Sequence, residues 1–137
     1  MASKLGTTPM NAVLSRIFGS TAYTPPATLY IALFTTSPTD FAAGTGGTEV
    51  SGGSYARVAV TNNSTNFPAA SSRASSNGTA ISFTTPSGSW GTVVGFGIYD
   101  AVTAGVWQGG GDLTTSQTIS SGNTVSFAIG AITITMT

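Results

Sequence analysis

The run LYIALF at residues 29–34 constrains the fold more than any other part of the chain. Read with the period of two that a strand imposes, Leu29, Ile31 and Leu33 lie on one face and Tyr30, Ala32 and Phe34 on the other. Both faces are apolar, so such a strand has to be central or heavily covered on both sides. Alternation recurs downstream. YARVAV at 55–60 places Val58 and Val60 on one face and Arg57 on the other, and Ile81 and Phe83 alternate in TAISFT. Val94, Phe96 and Ile98 alternate in VVGFGIYD with Gly95 and Gly97 opposite them, a glycine face that lets another backbone or ring come close. Val106 and Trp107 form a short strand expected to end at the Gly109–Gly111 run.

The last stretch, NTVSFAIGAITITMT, changes parity. Val125, Phe127 and Ile129 are odd, whereas Ile132, Ile134 and Met136 are even. One inserted residue is needed. Gly130–Ala131 is either a β-bulge in one long strand or a tight turn between two, and the bulge is the preferred reading because two residues with one Gly make a poor primed turn.

One segment breaks the β pattern. In TTPMNAVLSRIFG at 7–19, Met10, Val13, Leu14, Ile17 and Phe18 form a single helical stripe. Thr8 is the expected cap, Pro9 the first helical residue and Gly19 the residue after the end. A helix of this length is marginal alone, so it must dock, either on its own core or on a partner subunit. The whole reads as an all-β chain, an antiparallel β-sandwich or small barrel, with one short N-terminal helix and two long Gly/Ser/Thr-rich loops at 36–54 and 61–78. A length of 137 residues fits one domain, taken as 1–137 with an N-terminal arm and helix over 1–20. Loops of that length often carry contacts to a partner.

Charge narrows the function classes. Only 6% of residues are charged, against about 25% in an ordinary soluble domain, and the net charge is zero. Lys4, Arg16, Arg57 and Arg73 are scattered, which argues against a nucleic-acid interface and against a basic membrane-surface patch. A surface so poor in charge lacks the repulsion that keeps small domains apart, and this points to assembly. MASKLGTTPM has no continuous apolar stretch, so no signal peptide is expected, and no run of about 18 apolar residues suggests a membrane span.

Catalytic groups are scarce. The chain has no His and no Cys, which removes the commonest general base, thiolate chemistry and most transition-metal sites. Asp40, Glu49, Asp100 and Asp112 are the only carboxylates. Asp40 and Glu49 share a loop, yet nothing in their spacing marks a glycosidase pair. Lys4 falls in a terminus expected to be mobile, so a Ser–Lys dyad is not supported. GTGGTE at 44–49 and QGGGD at 108–112 lack phosphate-loop spacing, and no run of carboxylates has calcium-loop spacing. No cofactor or metal is expected, and the chain is read as a non-enzyme. Asn62, Asn63 and Asn77 lie in N-x-[ST] sequons that a hydroxyl-rich chain produces by chance. Trp107 reads as core. Phe41, Tyr55 and Trp90, beside Gly-rich loops, are candidate interface or sugar-stacking aromatics.

The segments YTPPATLYIALFTTSPTD, GTEVSGGSYARVAVT, WGTVVGFGIYD and LTTSQTISSGNTVSFAIGAITITM, in that order, resemble a family of small phage virion proteins known as phage tail fibre proteins. They are also similar to the cement, or decoration, proteins of phage heads. The resemblance implies a virion structural protein with no enzymatic role. A fibre shaft would show repeats or heptads, and none are present, so a capsid decoration protein that binds the major capsid protein and stabilises the shell is the leading expectation. A tail-fibre or tail-tip module that touches a host glycan is the alternative. Assembly by symmetry, with a trimer favoured, and contacts to other virion proteins are implied in either case. The candidate interface residues are Met10, Val13, Leu14, Ile17, Phe18, Phe41, Tyr55 and Trp90.

Overall fold

The computed structural model describes residues 3–136. Its elements in chain order are β1 (Ser3–Leu5), α1 (Thr7–Ile17), β2 (Thr28–Thr36), β3 (Thr48–Glu49), β4 (Val58–Thr61), β5 (Ala74–Ser76), β6 (Ile81–Ser82), β7 (Gly91–Tyr99), β8 (Trp107–Ile119), β9 (Ser126–Phe127) and β10 (Thr133–Thr135). The large sheet runs β1-β8-β7-β2-β3, with β4 also paired to β2, and every pairing is antiparallel. Two small antiparallel pairs, β5–β10 and β6–β9, complete the β structure. The fold is an all-β sandwich with one short helix.

As its two apolar faces require, β2 is central, held by β7 on one side and by β4 and β3 on the other. Its two faces feed two separate apolar clusters. Ile31 and Leu33 join Val60, Val93, Phe96, Ile98 and Ile119 from the large sheet with Ile81 of β6, Phe83 just after it and Ile132 just before β10. On the reverse face, Ala32 and Phe34 pack with Trp107, closed off by Phe41 and Tyr99. The glycine face of β7 has the expected use. A Cβ on Gly97 would collide with the Trp107 ring and come within 2.8 Å of Phe34. The tryptophan lies across a strip of backbone, and Phe34 and Tyr99 meet it edge-on.

Several local expectations need correction. Inward parity along β7 belongs to Val93, because a register shift between Val93 and Gly95 leaves Val94 only half-buried. The Gly109–Gly111 run does not end a strand. It lies inside β8, where the missing side chains admit Trp107 on one face and β1 alongside. Lys4 is therefore in a paired strand opposite Gly110, not in a loose terminus. Gly130–Ala131 is the turn, not the bulge. Gly130 has φ +76° and the Ala131 N–H donates to the Ala128 carbonyl, so β9 and β10 belong to different sheets. The two long loops are folded segments. The first contains β3 and lays Phe41 on Trp107; the second contains β5 and sends Phe67 to the core.

Candidate functional site

Helix α1 leaves β1 through Gly6, whose N–H donates to the Gln108 carbonyl at 2.8 Å. Gly6 is the cap, two residues earlier than the expected Thr8, and no side chain caps the helix. A glycine is needed because a Cβ there would stand 2.9 Å from the Trp107 ring and carbonyl. The Thr7 N–H donates to the Ala42 carbonyl at 2.8 Å, which replaces the missing cap. Pro9 falls in the first turn, where its absent N–H costs nothing, and it is the buried residue of the helix. The far end closes as expected. Gly19 takes φ +118°, and Arg16 in the last turn complements the helix dipole.

The apolar stripe on α1 is only partly used by the fold. Met10 and Val13 are half-buried, but Leu14 is 53% exposed, Ile17 63% and Phe18 76%. The stripe therefore turns from the body of the protein out into solvent along its length. Beside it lies an apolar cleft of about 250 Å³ between the helix, the Tyr23–Pro26 segment and the β5–β10 pair. Pro9, Val13, Tyr23, Pro26, Phe67 and Ile134 line it. Leu14, Ile17 and Phe18 thus form an exposed apolar patch next to this cleft. The stripe was legible from its spacing; the cleft was not, because Phe67 and Ile134 reach it from distant segments. Val102, Val106, Ile129 and Met136 are further exposed apolar residues that the alternation pattern did not single out as surface.

Of the three loop aromatics, Trp90 is buried, whereas Tyr55 and Phe41 are half-buried. Trp90 is 3% exposed; its indole N–H donates to the Gly53 carbonyl at 2.9 Å, and Tyr55 and Phe83 meet it edge-on. Its ring has no free face for a sugar or a partner. Tyr55 is half-buried against the same cluster. Phe41 packs against the Ala32, Phe34 and Trp107 cluster, and its carbonyl accepts the Trp107 indole N–H at 2.6 Å. The signal for Trp90 was available: a Trp needs a partner for its N–H, and the glycine loop beside it offers a bare carbonyl.

A polar clasp at the sheet edge explains the GGSYAR segment. Arg57 grips Glu49 with two hydrogen bonds of 2.8 Å, Nε to Oε1 and Nη2 to Oε2. Its Nη1 donates to the carbonyls of Ala101 and Ala104, and its guanidinium lies 3.7 Å above the centre of the Tyr99 ring. Tyr55 donates its hydroxyl to Glu49 Oε1 at 2.8 Å and accepts the Leu33 N–H at 2.9 Å. The hydrogen bonds to Glu49 raise the pKa of Arg57, and burial pushes the Tyr55 and Tyr99 phenols above the usual tyrosine value. This constellation ties β3, β4 and the β7–β8 connection together. Glu49 is thereby committed to Arg57 and Tyr55, while the Asp40 and Asp100 carboxylates accept the N–H groups of Ala42 and Val106 in their own turns. Among the described residues no group of three or more metal-capable side chains comes together. Within the same residues no helix is long and apolar enough to cross a membrane.

The fold is thus an all-β sandwich with an internally satisfied polar clasp and an apolar helix face turned to solvent. Residues 4–135 match the family described as Podophage GP4 fiber I protein gp80, and the chain belongs to that family. It is a structural component of a bacteriophage virion. No curated protein matches the chain.

Proposed function

We propose that this protein is a tail-fibre module, joined to the rest of the fibre or to its base through the outer end of α1. Membership of a fibre family over nearly the whole chain carries this reading in preference to head decoration. The exposed Leu14, Ile17 and Phe18 supply the attachment surface, and the cleft between α1 and β5–β10 gives it depth. The absence of a repetitive shaft is compatible with a fibre, because a fibre can be built from compact modules that assemble by symmetry. Copies of this chain are expected to associate, as a trimer, with other virion proteins completing the contact. A host-glycan role would have to use surfaces other than Trp90, which is buried.

Copy number tests the assignment. Calibrated mass spectrometry of purified particles, combined with antibody-gold labelling, should give few copies per particle, located at the tail. A copy number comparable to the major shell protein, with label over the head, would overturn the fibre assignment in favour of a decoration protein.

A further inference from the structure

Asn77 lies between β5 and β6 at 2% exposure, and each polar group it carries is engaged. Its side-chain nitrogen donates to the carbonyls of Thr79 (2.8 Å) and Ala128 (2.9 Å), and its side-chain oxygen accepts the Ile132 N–H at 2.9 Å. Its backbone N–H donates to the Ile132 carbonyl and its carbonyl accepts the Gly130 N–H. One residue thus fastens the β5–β6 connection to the turn between β9 and β10. The position requires a neutral group with two donors and one acceptor, which only an amide supplies.

The next residue is Gly78, and of the six asparagines in the chain only Asn77 precedes a glycine. In an open chain this pair is chemically labile, since a residue without a side chain lets its amide nitrogen reach the preceding carboxamide carbon. The Gly78 nitrogen bonds to Asn77 Cγ and the Cγ–Nδ2 bond breaks. The Gly78 amide proton leaves with that nitrogen as ammonia, and a five-membered succinimide remains. Water then opens the ring at either carbonyl, leaving aspartate or isoaspartate at residue 77.

The folded chain blocks each stage. The Gly78 N–H is held by the Asn66 carbonyl at 2.7 Å, the Asn77 carboxamide is fixed by three hydrogen bonds, and Asn77 is only 2% exposed. These restraints sit in the weakest part of the architecture. They depend on the three-residue β5–β10 and two-residue β6–β9 ladders, not on the large sheet. The geometry points to Asn77–Gly78 as a deamidation site gated by local opening of these strand pairs, with conversion locking the opened state. A carboxylate at residue 77 would turn an oxygen toward two carbonyl oxygens where the amide turned two N–H groups, and burial of that charge opposes reclosure. Isoaspartate would also lengthen the main chain inside a fixed connection. Brief opening is therefore harmless, whereas prolonged opening permanently retires the copy. The inference does not depend on where in the virion the protein sits.

The test uses the unaltered full-length protein, held at one mildly alkaline pH and one temperature either natively or in concentrated urea. Peptide mapping with isoaspartate detection follows Asn77. Conversion in urea should be at least about tenfold faster than in the native protein, the factor expected from even a modest opening cost. It should also exceed conversion at Asn62, Asn63 and Asn66 in the same unfolded chains. After urea is removed, unconverted chains should recover the near-ultraviolet circular dichroism of the buried tryptophans and converted chains should not. Equal rates in the native and unfolded protein would overturn the gating. Converted chains that refold with an unchanged urea midpoint would overturn the lock.

Discussion

Phe96 and Phe18 are the same residue with opposite roles. Phe96 is 1% exposed in the middle of β7, packed edge-on against Phe127 between the large sheet and the strand pairs above it. Phe18 is 76% exposed at the end of α1. Apolar area removed from water stabilises a fold by about 25 cal/mol per Å², so Phe96 contributes to the stability of the single chain and Phe18 almost nothing. An exposed ring of that size, next to Ile17 and Leu14 on a surface with so little charge, is stabilising only once a partner covers it. The chain thus separates residues that make the fold from exposed apolar residues that the fold leaves uncovered, which the proposed function assigns to assembly. The difference can be tested one substitution at a time.

Phe96→Ala should cost the most, about 3–5 kcal/mol, because the ring is enclosed by rigid strands that cannot collapse into the gap. Urea unfolding of the purified variant measures this directly. A loss below about 1 kcal/mol would mean that the two layers are not packed as closely as the Phe96–Phe127 contact indicates. Gly97→Ala comes next, on the opposite face of the same strand, at about 2–3 kcal/mol. There the added methyl would run into Trp107 and Phe34, both themselves confined. Near-ultraviolet circular dichroism should report the displaced indole, and an unchanged spectrum with full stability would show that Trp107 does not lie across Gly97.

The contrast between the faces of β7 also shows how far the sequence could be read. Alternation in residues 29–34 was sufficient to place β2 in the centre, since both of its faces needed cover. Opposite Phe96 and Ile98, the glycines announced a close approach. What filled the gap was not legible, because Trp107 is ten residues beyond Gly97 and its position depends on the β7–β8 register. Local rules misled at Gly109–Gly111, where the propensity of glycine to break strands was outweighed by the need for bare backbone beneath an indole. Likewise, Gly130–Ala131 kept the alternation on both sides, so nothing local revealed that the two halves pair with different partners, β6 and β5. For the candidate site the spacing of the stripe was clear from residues 10–18. Which half of it the protein covers for itself is decided by β8 and by the loop around Ala42, and those contacts are non-local.

The Arg57 clasp offers a test intermediate between core and surface. Tyr55→Phe removes the hydroxyl that serves both Glu49 and the Leu33 N–H, and should cost about 1–2 kcal/mol at neutral pH. Its pH dependence has a defined sign. Burial raises the folded-state pKa of Tyr55 above its ordinary value of 10.0, so the neutral phenol is the form the fold favours. This contribution is fully present below about pH 10 and is lost as the pH rises from there toward the higher folded-state value. The native protein should lose stability steeply in that alkaline range, and Tyr55→Phe should flatten the loss, with the remainder due to Tyr99. Parallel alkaline profiles for the two proteins would rule out Tyr55 as the source.

Phe18→Ser should have the smallest effect on the isolated chain and the largest on its assembly. With three-quarters of the ring already in water, the unfolding free energy should change by no more than about 0.5 kcal/mol. If the stripe is reserved for a partner, the same substitution should lower the oligomeric mass seen by light scattering, or prevent incorporation into particles when it replaces the natural protein. Leu14→Ser should act in the same direction with less force, being the more covered of the two. Should Phe18→Ser destabilise the isolated chain as Phe96→Ala does, the end of α1 would belong to the fold, and the division between the two phenylalanines would fail. Should it leave both stability and incorporation unchanged, the partner surface would have to be sought among other exposed apolar residues, such as Val102 and Val106 on the β7–β8 connection or Ile129 on the β9–β10 connection.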